Sequence, residues 1–326
     1  MRAVVARRYG PPEALRIEDV PKPTLEDDGL LVRVRASSVN PAEWYAVTGG
    51  MALARLMTGS PFKPKSLYPG TDFAGTVEAV GPSVTQFKPG DEVFGARNGA
   101  WAEYLHVRES RNVAPKPANV TFEQAGSVGI AAFTALQALR EHGQLQQDEK
   151  VLINGASGGV GTFAVQLAKI LGGHVTAVCS TRNVEQSLAL GADRVIDYKK
   201  EDFTRAAAGD RYDLFVDVSG TRSWWEYKRV LAPNARFVVV GAPKGFPLIG
   251  PLAHVIAVRL GSLGASQKVT FFIAKFTKED FHYLGDLMAA GKLTPVVERA
   301  YPLEEVAAAL NHLGTGHARG KIALTI

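Results

Sequence analysis

The stretch VLINGASGGVG at 151–161, continued by TFAVQLAK, is the part of the chain best equipped for chemistry. Val151 to Asn154 reads as a strand, the small residues after it as a tight turn, and Phe163, Val165 and Leu167 as the opening of a helix. A strand that turns through small residues into a helix offers unpaired backbone N–H groups to negative charge, which is how a dinucleotide pyrophosphate is held. The expected phosphate turn is Ala156, Ser157, Gly158, Gly159, Val160 and Gly161, with Ala156 standing where a first glycine is usual. Gly158 lets the backbone approach the phosphates, and Gly161 lets helix and strand pack closely.

The end of the next predicted strand, His174 to Cys179, decides which dinucleotide is accepted. A site for NAD carries Asp or Glu about 20 residues beyond the turn, bonded to the ribose hydroxyls. Here the strand runs out through Cys179-Ser180-Thr181-Arg182-Asn183, with no carboxylate. Ser180 can donate a hydrogen bond, and the Arg182 guanidinium can grip a phosphate with two. That set predicts NADPH, whose 2′-phosphate an acid would repel. Arg182 also fits a solvated cation at a helix start, and the sequence does not separate the two readings.

Around these residues the chain changes character. Up to about residue 110 it reads as short strands, among them Leu30 to Val39, Phe73 to Val80 and Asp91 to Phe94, punctuated by Pro69-Gly70 and Pro89-Gly90. A compact barrel is expected there, with residues 49–68 as a long surface loop. Thr121-Phe122-Glu123-Gln124 looks like a capping box. From it onward predicted strands and helices alternate: strands at 150–154, 174–179, 194–197, 213–218 and 236–240, helices at 160–171, 184–190 and 223–231. Such alternation implies a parallel sheet covered by helices on both faces. The tail holds predicted helices at 278–290 and 303–313 and a closing strand at 322–326, expected to fold back on the first domain. The domains are therefore expected at 1–121, 122–274 and 275–326.

Length and composition set the bounds. A chain of 326 residues favours two domains, and 46% hydrophobic with 21% charged residues is ordinary for a globular protein. The net charge of +5 is scattered, as in Arg7-Arg8 and Lys199-Lys200, which argues against a nucleic-acid partner. Cys179 is the one cysteine, so neither a disulfide framework nor a cysteine-based metal site is available. The opening MRAVVARRYGPPEAL lacks a secretory apolar core. The apolar stretch 246–263 is broken by Pro247, Pro251, His254 and Arg259, short of the roughly 20 apolar residues of a membrane span. These features predict a cytoplasmic protein.

With GASGGVG, Gly70-Thr71-Asp72-Phe73-Ala74-Gly75, LGADRVIDY at 190–198 and HARGKIALTI at 317–326, the chain resembles the medium-chain dehydrogenase/reductase superfamily from end to end. Ser-Val-Asn-Pro at 38–41 is similar to its zinc-independent quinone oxidoreductase and alkenal reductase branches. The resemblance implies an α/β fold class: a Rossmann doubly wound parallel sheet joined to a GroES-like β-barrel catalytic domain, usually as a homodimer. It also implies cofactor contacts from Thr134, Tyr198, Gly241 and Lys321, with Phe271, Phe272 and Ile273 either lining the nicotinamide end or packing the strand core.

Zinc-dependent alcohol dehydrogenases share that fold. Their cysteine ligand is matched here by Asn40 and their His-Glu pair by Thr71-Asp72. Amide and hydroxyl are poor zinc ligands beside thiolate and imidazole, so no metal is expected. The resemblance places Asn40 and Tyr45, five residues apart, at a small-molecule substrate. Asn40 and Tyr45 are thus the candidate catalytic residues, with Tyr45 equally readable as a packing partner of Trp44, and Asp72 as a structural acceptor. The expected reaction is NADPH-dependent reduction of a quinone or an α,β-unsaturated carbonyl. Alternatives are an enoyl-thioester reductase, a zinc-free alcohol dehydrogenase-like protein and a structural role such as some relatives play as lens crystallins.

Overall fold

The computed structural model describes residues 1–50, 55, 61–205, 211–241 and 252–326. The chain gathers into two compact units, one of residues 1–133 with 275–326 and one of residues 134–274.

In the first unit, strand β1 (Arg2–Val5) pairs antiparallel with β2 (Arg16–Asp19). Strand β3 (Gly29–Val39) is the hub. Helix α1 (Pro41–Thr48) leaves it at Asn40, with Pro41 suited to a first helical position and Gly49 at φ +67° ending the helix. Strands β4 (Asp72–Val80), β5 (Glu92–Ala96), β6 (Tyr104–Arg108) and β7 (Val113–Pro115) follow. β4 pairs along most of β3, and β6 pairs with its first half. Leu30, Val32, Val34, Phe73, Val77 and Val93 fill the core beneath this sheet. Of the loop expected at 49–68, residues 51–54 and 56–60 lie outside the described residues.

Helix α2 (Phe122–Ala125) opens on the expected box: the Gln124 N–H donates to Thr121 Oγ1 at 3.2 Å, and the Thr121 N–H donates to Gln124 Oε1 at 2.9 Å. The sequence assigns residues 122–133 to the cofactor domain, but they belong to the first unit. The reason is local. Asp72 Oδ1 accepts the Ile130 N–H at 2.8 Å, at the start of helix α3 (Gly129–Gln137). A Cβ on Gly129 would meet that same oxygen at 2.2 Å, so the helix lies directly on the carboxylate.

The second unit runs through β8 (Lys150–Asn154), α4 (Gly159–Ile170), β9 (His174–Cys179), α5 (Val184–Ala189), β10 (Arg194–Asp197), β11 (Tyr212–Asp217), α6 (Trp224–Lys228), β12 (Leu231–Val239), α7 (Leu252–Gly261) and β13 (Lys268–Phe271). All six strands are parallel, in the order β10-β9-β8-β11-β12-β13. Continuous apolar runs such as Val151-Leu152-Ile153 suit strands buried on both faces. The order reverses between β8 and β11, the place where a doubly wound sheet binds its ligand at the strand ends. Phe203, Phe215, Trp224, Tyr227 and Phe237 pack one core of this unit. The helix expected to reach Leu231 stops at Lys228, and β12 already begins at Leu231. Pro233 has no N–H for a helix and Asn234 sits at φ +61°, so this stretch cannot continue one. Of the apolar stretch 246–263, residues before 252 lie outside the described ones.

The chain then returns to the first unit. Helix α8 (Lys278–Ala289) starts on a Thr277 cap, and β14 (Val297–Pro302) and α9 (Val306–Gly314) follow. The closing strand β15 (Lys321–Thr325) pairs antiparallel with the second half of β3, Ile322 opposite Val39 and Thr325 opposite Ala36. This completes a seven-stranded sheet and delivers Lys321 to Asn40, which follows β3. Among the described residues no helix is long and apolar enough to cross a membrane.

Candidate functional site

In the α/β unit the turn between β8 and α4 is fixed to its neighbour: the Gly155 and Ala156 N–H groups both donate to the Val178 carbonyl, at 3.2 and 3.1 Å. Helix α4 begins with Gly158 as its N-cap, a residue with no side chain to satisfy the first amides. The first intrahelical bond runs from the Thr162 N–H to the Gly158 carbonyl at 2.9 Å. Gly159, Val160 and Gly161 therefore present N–H groups that the helix itself cannot pair. The two glycines of the turn differ in kind. A Cβ on Gly161 would sit 2.2 Å from the Gly155 carbonyl oxygen, so protein packing demands that glycine. A Cβ on Gly158 would meet nothing nearer than that oxygen at 3.7 Å, and its φ of −81° is ordinary. No described residue crowds a Cβ at Gly158, and a bare backbone there leaves room for a phosphate drawn up to the helix start. The turn fits a pyrophosphate.

Beyond β9, Thr181–Asn183 forms one turn of 3-10 helix with Ser180 before it. Ser180 is buried and Arg182 exposed. The Asn183 amide Nδ2 joins this turn to the phosphate turn, donating to Ser157 Oγ at 2.9 Å and to Ser180 Oγ at 3.1 Å. Ser157 and Ser180, far apart in sequence, thus stand side by side. A carboxylate does lie nearby, on the neighbouring strand: Asp197 is in register with Cys179. Its oxygens are already engaged by Thr181 Oγ1 at 2.6 Å and the Lys199 N–H at 3.0 Å. The Thr181 hydrogen bond leads in holding its pKa below the usual carboxylate range. Tyr198, half exposed, follows it, its N–H on the Cys179 carbonyl.

The remaining expected contacts are spread through the folds. Thr134 lies on α3. Gly241 is a glycine because a Cβ there would meet the Val218 carbonyl oxygen at 2.2 Å. Phe271 and Ile273 are exposed at the β13 edge, while Phe272 stacks on His142 with ring centroids 4.1 Å apart. Where the strand order reverses, Asp217 at the end of β11 accepts from Asn154 Nδ2 at 2.8 Å and lies 3.1 Å from His254 Nε2.

Lys321 belongs to the first unit, in a buried polar cluster around Asn40. Its ammonium Nζ donates to Asn40 Oδ1 and lies 3.3 Å from Asp72 Oδ2. Asn40 Nδ2 donates to the same carboxylate oxygen at 3.0 Å, and Ser38 Oγ does so at 2.7 Å. Asp72 is the structural acceptor expected, holding β3, β15 and α3 together. Asn40, 2% exposed, has its carbonyl and one amide hydrogen committed to this cluster. Glu43, also buried, accepts the Asn40 N–H at 2.7 Å through Oε2. Burial first, then the Asp72 charge, push its pKa up to about 7 against the pull of Lys321. Two buried carboxylates share one buried ammonium, and the surplus negative charge is disfavoured. Tyr45, one helical step further on α1, packs edge-on against Trp44 at 5.2 Å. Its hydroxyl has no hydrogen-bond partner among the described residues, and partial burial raises its pKa.

Sequence reasoning did not single out Glu43 or Asn183. Glu43 carries a signal, the Asn-x-x-Glu spacing of a capping box. Asn183 carries none, because its value comes from a contact with Ser157 in a different turn.

Known proteins resemble the chain throughout. A family model for the alcohol dehydrogenase GroES-like domain matches residues 26–118, and one for zinc-binding dehydrogenases matches residues 190–324. A trans-enoyl reductase of Aspergillus terreus is 36% identical, over 93% of this chain and 87% of its own length. The structure of the quinone oxidoreductase from Coxiella burnetii is 30% identical with a TM-score of 0.85, covering 100% of this chain and 99% of that one. A mycobacterial protein complexed with NADPH is 26% identical with a TM-score of 0.80, each chain covered in full.

Proposed function

The chain belongs to the medium-chain dehydrogenase/reductase superfamily, in its quinone oxidoreductase branch, and from that premise we propose that it reduces quinones or α,β-unsaturated carbonyl compounds with NADPH and without zinc. The observation that carries this reading is the state of Asn40. At the position where zinc enzymes of this fold place a thiolate stands an amide already bound to a lysine ammonium. An amide whose carbonyl already accepts from an ammonium offers a dication no ligand to match a thiolate.

Without a Lewis acid, an isolated carbonyl gains little help as negative charge develops on its oxygen. Conjugation spreads that charge, and modest hydrogen-bond donors then suffice. Tyr45 is such a donor: its raised pKa keeps the hydroxyl protonated and no described residue competes for it. Asn40, anchored by Lys321 and Asp72, retains one amide hydrogen. Bound NADPH supplies the hydride. Ser180 and Arg182, with no acid at the end of β9, suit its 2′-phosphate, and the bare helix start at Gly158 suits its pyrophosphate.

The trans-enoyl reductase at 36% identity favours a second substrate, an enoyl thioester, which is a conjugated carbonyl open to the same chemistry. The exposed β13 edge and the uncovered Ile256, Leu260 and Leu263 beside it support a homodimer. The test is NADPH consumption with a quinone or an enal before and after exhaustive chelation, alongside elemental analysis. Undiminished activity without stoichiometric metal is expected; inactivation that zinc reverses would sink the proposal.

A further inference from the structure

The 3-10 turn after β9 folds Asn183 back on itself, its N–H donating to the Ser180 carbonyl at 2.8 Å. The side chain is 3% exposed. Its amide nitrogen carries two hydrogens, and the two hydrogen bonds to Ser157 Oγ and Ser180 Oγ use both. The carbonyl Oδ1 is buried and has no partner among the described residues. That asymmetry fixes the orientation of the amide. Turned over, it would bury two orphaned N–H groups in place of one under-satisfied carbonyl, and orphaned N–H groups are the costlier.

A serine hydroxyl that accepts a hydrogen bond cannot also aim its own hydrogen along that line. Both hydroxyl hydrogens therefore point away from Asn183, and neither finds an acceptor among the described residues. Two donors from two different turns, side by side and turned outward, suit a group that only accepts. A phosphate monoester dianion accepts from both at once with charge-assisted hydrogen bonds, whereas a ribose hydroxyl takes the same place without the charge and must place its own hydrogen elsewhere. Asp197, the one carboxylate in register here, is held off by Thr181 and the Lys199 amide.

We propose that Asn183 is the positioning residue that selects the dinucleotide, by turning the Ser157 and Ser180 hydroxyls outward as a paired donor for the 2′-phosphate. This rests on the NADPH reading above. It adds that the selectivity comes from a neutral amide that never touches the phosphate, in concert with the Arg182 charge.

Calorimetric titration with adenosine 2′,5′-bisphosphate and with 5′-AMP separates the 2′-phosphate from the rest of the ligand. The wild type should bind the bisphosphate at least about tenfold tighter, as one or two charge-assisted hydrogen bonds require. Asn183→Ala should erase most of that preference and change 5′-AMP binding by less than about twofold. Ser157→Ala with Ser180→Ala should erase it equally, and adding Asn183→Ala to that pair should cost nothing more. The serine pair carries the test if Asn183→Ala lowers the melting temperature. Equal weakening of both ligands by Asn183→Ala, or a preference left whole in the serine pair, would overturn the inference and leave the NADPH reading standing. A wild type with no preference for the bisphosphate would overturn both.

Discussion

Glu43 is a buried carboxyl in a charged cluster. With Asp72 and Lys321 beside it and almost no solvent, its folded pKa of about 7 exceeds the ordinary 4.5. A carboxyl whose folded pKa is raised binds more protons in the native state. Its contribution to stability is greatest below the unfolded pKa and is lost as pH rises from about 4.5 to about 7. The loss across that window is roughly 3 kcal/mol, since each tenfold change in proton affinity is worth about 1.4 kcal/mol. Glu43→Gln keeps a capping-box side chain but cannot ionise. Urea unfolding at pH 5 and pH 8 should show a smaller fall in stability for the variant than for the wild type; parallel curves would show that Glu43 does not titrate in this range.

Tyr45 is tested on turnover. Tyr45→Phe removes a donor to the developing oxygen charge and should lower the turnover number for an enal by about tenfold or more. A quinone should be affected less, since it accepts electrons without a positioned acid. No change for the enal would make Tyr45 a packing partner of Trp44 and nothing else. These two residues show what was legible at this scale. Tyr45 was nameable through the family resemblance, whose spacing to Asn40 it keeps, whereas the Glu43 pKa depends on burial and on the Asp72 charge, which a different strand brings beside it. Asn183 was hidden for the same reason.

Among the elements, the turn between β8 and α4 holds one glycine that packing requires and one that no described residue crowds. Gly161→Ala would drive a methyl against the Gly155 carbonyl and should destabilise the fold by about 1–3 kcal/mol, as overpacking does. Gly158→Ala meets only the Gly155 carbonyl oxygen, at an ordinary 3.7 Å, so without ligand it should lower the melting temperature far less than Gly161→Ala. Its NADPH affinity should nonetheless fall by about tenfold or more, since the methyl stands where a phosphate approaches. Equal melting temperatures for all three proteins, or unchanged NADPH affinity in Gly158→Ala, would contradict this division. Strand and helix periodicity made this element readable before any coordinates, because it sits wholly within one run of sequence. The assignment of 122–133 was not readable, since it depends on long-range packing of α2 against β3, β4 and β15 and on the hydrogen bond between Ile130 and Asp72.

Among the described residues β13 ends its sheet, and apolar side chains of α7 beside it are exposed. Ile256 and Leu260, one helical turn apart, mark one face of that helix. Light scattering at micromolar concentration should give twice the chain mass of 34.9 kDa, and Ile256→Glu with Leu260→Glu should return it to the monomer. A wild-type monomer would leave the edge without its proposed partner.

In the molecule as a whole, the function proposed above gives each unit its own part. The α/β unit would hold the cofactor through amides at a helix start and hydroxyls at a strand end. The first unit, where Lys321 is bonded to Asn40, would then act on acceptors able to spread their own charge. The most direct measurement compares initial rates of NADPH consumption by the chelated protein with an enal, a quinone and a saturated aldehyde under one set of conditions. The enal and the quinone should be turned over and the saturated aldehyde should be the poorest of the three. A saturated aldehyde reduced fastest would contradict the account at its centre.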